Sequence, residues 1–177
     1  DHTDYLGDTI AAIAGEKAGI IARQQPDLVP AGTDPSTVAV IARQVPEAME
    51  VLMAQAVTAD AAVAREDSEF AVRGRQVAVG GQLLELQGLG GVYSDIFLPL
   101  HGEHQAHNAV LALAAVEAFF GAGADRQLDV DTVRQGFAAV TLPGRFQVLP
   151  GRPSVVLDVA HNPHAAGHLG TNLDGMG

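Results

Sequence analysis

The sequence predicts a mixed α/β chain in which helices flank a small antiparallel β-meander and a strand-to-helix unit closes the sequence. Three observations lead there. Apolar residues recur with the helical period over residues 8–20, 36–53, 104–121 and 131–140. Between residues 56 and 99 the period shortens to two, and Gly74, Gly80, Gly81, Gly88, Gly90 and Gly91 interrupt it. Near the C-terminus the apolar run Val155, Val156, Leu157 reads as a buried strand, and Asn162-Pro163 reads as a helix start.

In chain order, the first helix places Ile10, Ile13, Ala14 and Lys17 on one face. Residues 25–31 form a proline-punctuated connection with room for a short strand. Ser36 caps a second helix running to about Met53, with Val40, Ile41, Val45, Met49 and Leu52 as its stripe, and Pro46 kinks or splits it. VTADAAVA, FAVRG, RQVAVG, QLLELQ and YSDIFLPL are the short strands of the meander. Helix returns from His104 to Gly121, and Asp131 caps another that ends near Val140. FQVLP and SVVLDVA are then strands, and Pro163 begins a last helix.

Pro143, Gly144, Pro150, Gly151 and Pro153 cluster at a domain boundary, which divides the chain into residues 1–145 and 146–177. One strand and one helix do not bury a core of their own. The second unit is therefore expected to be cut short, and the missing initiator Met gives the same expectation for the first.

Composition narrows the function. The chain has 177 residues, 47% apolar and 18% charged, which is globular. A formal net charge of −11 with no basic cluster argues against nucleic acid, whose phosphates demand a basic footprint. No apolar run approaches the ~18–20 residues that cross a bilayer, and no segment has the basic start, apolar middle and small-residue cleavage site of a signal peptide. Cysteine is absent, which excludes disulfides and thiolate metal sites and fits a cytoplasmic protein.

Certain residues stand out. Lys17 is the sole lysine, on a face that should bury apolar atoms. Its plain reading is a snorkelling side chain at a helix C-terminus. Its chemical reading is an amine made neutral by burial, able to take up carbon dioxide as a carbamate and so ligate a hard cation alongside His2. His101, His104 and His107 are spaced three apart, but no fourth ligand of suitable spacing follows to complete a zinc site. Asn108 is expected in the first turn of its helix, where its amide either reads a ligand edge or decorates the helix start. Arg145 follows a Pro-Gly turn, as a surface side chain or as a grip on phosphate oxygens. Asp158 breaks a strand at its carboxyl end, either to face a ligand or to cap the turn.

DHTDYLG with EKAGI, GEHQAHNA, LPGRFQ and LDVAHNPHA, in this order, resemble the folylpolyglutamate synthase family, including its bifunctional dihydrofolate synthase form, within the Mur ligase superfamily. The resemblance covers nearly the whole chain and is weakest across residues 56–100. It implies the C-terminal part of a Mur-ligase-type ATPase domain, followed by the start of a Rossmann-like domain. It also implies an ATP-dependent ligase that phosphorylates a carboxylate and joins it to the amine of L-glutamate. The acceptor is dihydropteroate or a reduced folate. Magnesium is used, and often a monovalent cation such as potassium, and the parent protein is expected to be a monomer.

By this resemblance His2 is a magnesium ligand and Lys17 the carbamylated lysine that orients that ion. Asn108 reads adenine, and Arg145 and Asp158 hold the ATP. His161 lies at the same cleft in a less defined role, and Asp4 has none assigned. No G-x-x-x-x-G-K-[ST] loop occurs in the chain. The chain alone is therefore expected not to catalyse the full reaction. Two alternatives stand: another Mur-type amide ligase, and a nucleotide-binding module without turnover.

Overall fold

The computed structural model describes residues 9–23, 37–121, 126–149, 151–160, 166, 167 and 170. The readings on residues 25–31, on Ser36 and on the helix from Pro163 lie outside them.

Helix α1 runs Ile10–Ala18. Thr9 starts it, its hydroxyl accepting from the Ala12 amide at 3.1 Å. The buried side is Ala14 and Ala18, not the Ile10–Lys17 direction: Ile10 is 47% exposed and Lys17 is exposed too. The small alanines let α1 approach its neighbouring helix closely, which turns the larger side chains outward.

Strand β1, Val38–Ile41, occupies the first half of the expected second helix. Four consecutive residues, three of them β-branched, favour the pleated surface. Pro46 then does what proline does best in a helix and opens one, α2, Pro46–Ala59. Asp60 ends it in the left-handed conformation at φ 56°. Strand β2, Ala62–Arg65, returns parallel to β1, with Val38 opposite Ala62 and Ile41 opposite Arg65. β1–α2–β2 is thus a crossover unit, and the start of the expected meander belongs to it.

The meander itself has three strands, β3 (Ala71–Ala78), β4 (Gly81–Gln87) and β5 (Val92–Leu98), antiparallel in that order. FAVRG and RQVAVG are one strand bent by a bulge between Val72 and Gly74. Val79-Gly80 makes the β3–β4 hairpin, with Gly80 at φ 78°. At Gly81 a Cβ would fall 2.2 Å from the Leu98 carbonyl oxygen, so glycine is what lets β4 meet the end of β5.

Helix α3, Glu103–Phe119, covers this sheet and also touches β1. Phe70, Leu84, Leu86, Tyr93 and Ile96 form the main core with Ala106, Val110 and Leu113 of α3. Glu117 of α3 is wholly buried. Its carboxylate accepts from the Leu89 amide (2.5 Å), the Gly90 amide (3.0 Å) and the Tyr93 hydroxyl (2.7 Å), pinning the β4–β5 turn. Burial, and then the Glu117 hydrogen bond, push the Tyr93 hydroxyl up to about 12.

Helix α4, Val130–Ala138, lies against β5. Its cap is Asp129 rather than Asp131: the Asp129 carboxylate accepts from the Thr132 amide at 2.8 Å. Asp131 instead sits in the first turn and faces Arg134 at 3.3 Å. The last pair is β6 (Gln147–Leu149) with β7 (Val155–Leu157), antiparallel. The Val155–Leu157 run is not buried: Val155 is 47% and Leu157 44% exposed, because a two-stranded pair shields neither face fully. Among the described residues, no helix is long and apolar enough to cross a membrane.

Candidate functional site

The turn that joins α4 to β6 is built by unusual backbone. Gly144 has φ 73° and Phe146 φ 46°. A phenylalanine in the left-handed region is costly and needs outside support. Asp158, just after β7, gives it: one carboxylate oxygen accepts from the Phe146 amide at 2.8 Å and the other from the Ala160 amide at 2.7 Å. The Val159 amide also donates to the Gly144 carbonyl at 2.8 Å. Both oxygens of Asp158 are thus committed to backbone, which is the turn-capping role weighed from the sequence. The buried Phe146 ring meets the His101 ring edge-on, with centroids 5.7 Å apart.

Arg145 stands between Gly144 and Phe146. Its amide closes the turn onto the Leu142 carbonyl at 3.2 Å, and its side chain is exposed. It lines a depression of about 320 Å³ together with Gly80, Pro99, His101, Val140 and Gln147. The structure therefore gathers Arg145, Asp158 and His101 at one turn, beside the entry to α3. An exposed guanidinium over a concave surface next to a helix start suits an anion such as a phosphate.

Asn108 is exposed on the second turn of α3 and donates to the side-chain oxygen of Gln105 at 3.3 Å. It does not line that depression. Lys17 lines a separate, apolar groove of about 590 Å³ with Ile10, Ile13, Val38, Val40 and Leu111. The expectation that burial neutralises its amine is corrected: its side chain is exposed at the groove's rim, where α1 faces outward. Exposure leaves the amine accessible to carbon dioxide without the burial that would neutralise it; the two oxygens of a carbamate, once formed, would suit magnesium. His2, Asp4 and His161 lie outside the described residues.

A polar cluster that the sequence reading did not single out lies at the carboxyl ends of β1 and β2. Glu66 follows β2, and its side chain is only 2% exposed. One of its oxygens pairs with His107 Nδ1, and the other accepts from the Arg43 amide at 2.9 Å. The Arg43 side chain reaches Asp67 at 2.7 Å, and that hydrogen bond holds the Asp67 carboxyl below its usual range. His107 Nε2 faces Glu103 at 3.6 Å. A signal was present: AREDSEF ends an apolar strand with charge, as LDVAH does. His101 and His107 have different partners, Phe146 and Glu66, and so do not converge as their spacing suggested.

Comparison with known proteins gives a consistent result. No protein-family model matches the chain. The dihydrofolate synthase/folylpolyglutamate synthase of Mycobacterium tuberculosis is 69% identical over 173 residues, covering 98% of this chain and 34% of that protein. A structure of Mycobacterium tuberculosis folylpolyglutamate synthase complexed with ADP superposes with a TM-score of 0.84 at 65% identity, covering 97% of this chain and 36% of that one. A complex of such a synthase with AMPPCP and folate gives 0.83 at 32% identity, over 100% of this chain and 40% of that one. The chain spans about a third of the length of the curated relatives it matches.

Proposed function

We propose, from the premise that this chain belongs to the dihydrofolate synthase/folylpolyglutamate synthase family, that it provides part of the active site of an ATP-dependent ligase. The ligase adds L-glutamate to dihydropteroate, to a reduced folate, or to both. The reaction runs through an acyl phosphate. A carboxylate oxygen of the acceptor attacks the γ-phosphorus of ATP, and ADP leaves. The glutamate amine then attacks the acyl carbon, phosphate leaves, an amide forms and the amine gives up a proton.

Within this reading the chain falls into two units, residues 1–145 as the later part of a Mur-ligase-type ATPase domain and 146–177 as the start of a Rossmann-like glutamate-ligase domain. The observation that carries the proposal is the turn at residues 144–146, which presents Arg145 at a concave surface. Arg145 offsets phosphate charge as it shifts from ATP to the acceptor. Asp158 acts first on the protein, because both of its oxygens hold the strained turn that presents Arg145; contact with the nucleotide is its second role. Asn108 reads the adenine edge with an amide that both donates and accepts.

Lys17 as its carbamate, with His2, would hold magnesium, and a monovalent cation such as potassium belongs to the same proposal. When bound, magnesium neutralises charge where phosphate and carboxylate oxygens crowd together. His161 is assigned to the cleft without a defined step. The parent protein acts as a monomer in the cytoplasm.

The test is an assay of the full-length protein containing this sequence, with ATP, L-glutamate and either dihydropteroate or a reduced folate. Mass spectrometry should show one added glutamyl group per ADP released. ATP hydrolysis with no glutamyl product would remove the ligase reading. Turnover with a muramyl substrate in place of a folate would move the chain to another Mur-type branch.

A further inference from the structure

Helix α3 begins without a side-chain cap. Its N-cap is Gly102, at φ 98° and ψ 145°. A glycine N-cap supplies no side-chain cap, and residues from other elements hold this helix entry. Two buried polar residues do. Gln82 of β4, 1% exposed, donates its side-chain amide to the Leu100 carbonyl at 2.9 Å and to the Gly102 carbonyl at 3.1 Å. Glu66, beyond β2, grips the second turn through His107.

The two grips differ in kind. Gln82 ties the backbone that leads into α3 to the antiparallel sheet. Glu66 ties the helix to the other sheet, at the carboxyl ends of β1 and β2, because its second oxygen takes the Arg43 amide. A carboxylate this deeply buried tolerates little displacement of its partners, since each lost bond leaves charge without compensation. With the apolar face of α3 packed on the sheet, the pair holds the first two turns in rotation and in height above the strand ends. The next residue along the helix is Asn108.

We infer that His107 is a positioning residue. By locking the second turn of α3 to Glu66, it sets the direction from which the Asn108 amide meets a nucleotide base. The inference rests on the adenine reading of Asn108 above and deepens it. A hydrogen-bonding pair that reads a base edge tolerates only small errors of placement. The loss should therefore fall on base recognition and leave acceptor binding and chemistry nearly untouched.

Among the described residues, His107 faces Glu66 and Asp67 after β2 and Glu103 one turn earlier on α3, and Arg43 after β1 joins the cluster through Glu66 and Asp67. None is an acceptor-binding or phosphate-binding candidate, which keeps the readouts separable.

The experiment uses the full-length enzyme and compares His107→Leu, His107→Asn, Glu66→Gln and Asn108→Ala. KM for ATP, KM for the folate acceptor, kcat, and the ratio of kcat/KM for ATP over GTP are read for each. His107→Leu should raise KM for ATP about tenfold, hold kcat and acceptor KM within about twofold, and narrow the ATP-over-GTP preference by about the same factor. His107→Asn, whose amide replaces the Nδ1 donor, should recover most of both effects. If His107→Leu does not fold, Glu66→Gln gives the same reading, with about a fivefold rise in KM for ATP and a narrowed preference. Unchanged base preference in His107→Leu, or in Glu66→Gln if the leucine variant does not fold, together with a loss in Asn108→Ala, overturns the positioning role and leaves the adenine reading intact. Unchanged ATP kinetics in Asn108→Ala overturns the adenine reading and the inference with it. Equal rises in both KM values point to a merely structural His107 and also overturn it.

Discussion

Glu117→Gln is the substitution whose cost the structure defines best. Three donors, two amides and a phenol, converge on its buried carboxylate. Glutamine keeps the shape and replaces one oxygen with a donor. Whichever way the new amide turns, at least one N–H or O–H then faces another donor. A buried donor left unsatisfied costs about 1–3 kcal/mol. The remaining bonds also fall from charge-assisted to neutral strength, at about 0.5–1 kcal/mol each. Relief from burying a charge offsets part of this. The expected net loss is about 2–4 kcal/mol, which for a chain of this size lowers Tm by roughly 5–15 °C. Urea unfolding and a thermal melt of the purified protein measure it. Hydrogen exchange should localise the change, with the Leu89 and Gly90 amides losing protection first. A melting temperature within about two degrees of the parent, with those amides still protected, would refute the argument that this carboxylate holds the β4–β5 turn.

Other outcomes follow from the same geometry. If Lys17 holds magnesium as proposed, Lys17→Ala in the full-length enzyme should lower turnover by at least about a hundredfold, with partial rescue by a small carboxylic acid that replaces the carbamate oxygens; full activity would take Lys17 out of the site. Arg145→Ala should raise KM for ATP about tenfold or more and leave acceptor KM nearly unchanged, and the reverse pattern would reassign the residue. Asp158→Ala frees the Phe146 and Ala160 amides and should cost about 1–3 kcal/mol in urea unfolding, whatever else it does to ATP use. Stability should fall at both extremes of pH. Asp67 and Asp129 have lowered folded values, through Arg43 and Thr132 respectively, so their contributions are present above the unfolded carboxylate value of 3.8 and vanish as pH falls through the folded ones. Tyr93 is raised, so its contribution is complete below the unfolded value of 10.0 and is lost as pH rises towards about 12; Tyr93→Phe should remove that alkaline limb from a stability–pH profile.

Much of the fold was legible in the sequence where a single period ran uninterrupted. Helix α3 and strands β4 and β5 appear close to where the pattern put them, because each buries one continuous face. The misreadings share a cause: short apolar runs carry no period of their own. VAVI before Pro46 suited a helix stripe and a strand equally, and pairing with β2 decided it. The FAVRG–RQVAVG break looked like a turn because glycine marks turns and bulges alike. Arg145 and Asp158 were legible as a pair of turn residues, but their meeting through Phe146 depends on a left-handed phenylalanine that no pattern signals. Glu66 and His107 lie 41 residues apart, and nothing local joins them. Of the apolar residues that share the Lys17 face of the wheel, Ala14 is buried, Ile13 half-buried and Ile10 exposed, so the exposure of Lys17 follows from packing of Ala14 and Ala18 rather than from hydropathy.

The most direct test of the central claim follows an oxygen atom. The full-length protein is given an acceptor whose reacting carboxylate carries heavy oxygen, together with ATP, magnesium and L-glutamate. An acyl phosphate passes one carboxylate oxygen to phosphorus, so released phosphate should carry one labelled oxygen for each glutamyl group added. Unlabelled phosphate alongside glutamyl product would contradict it.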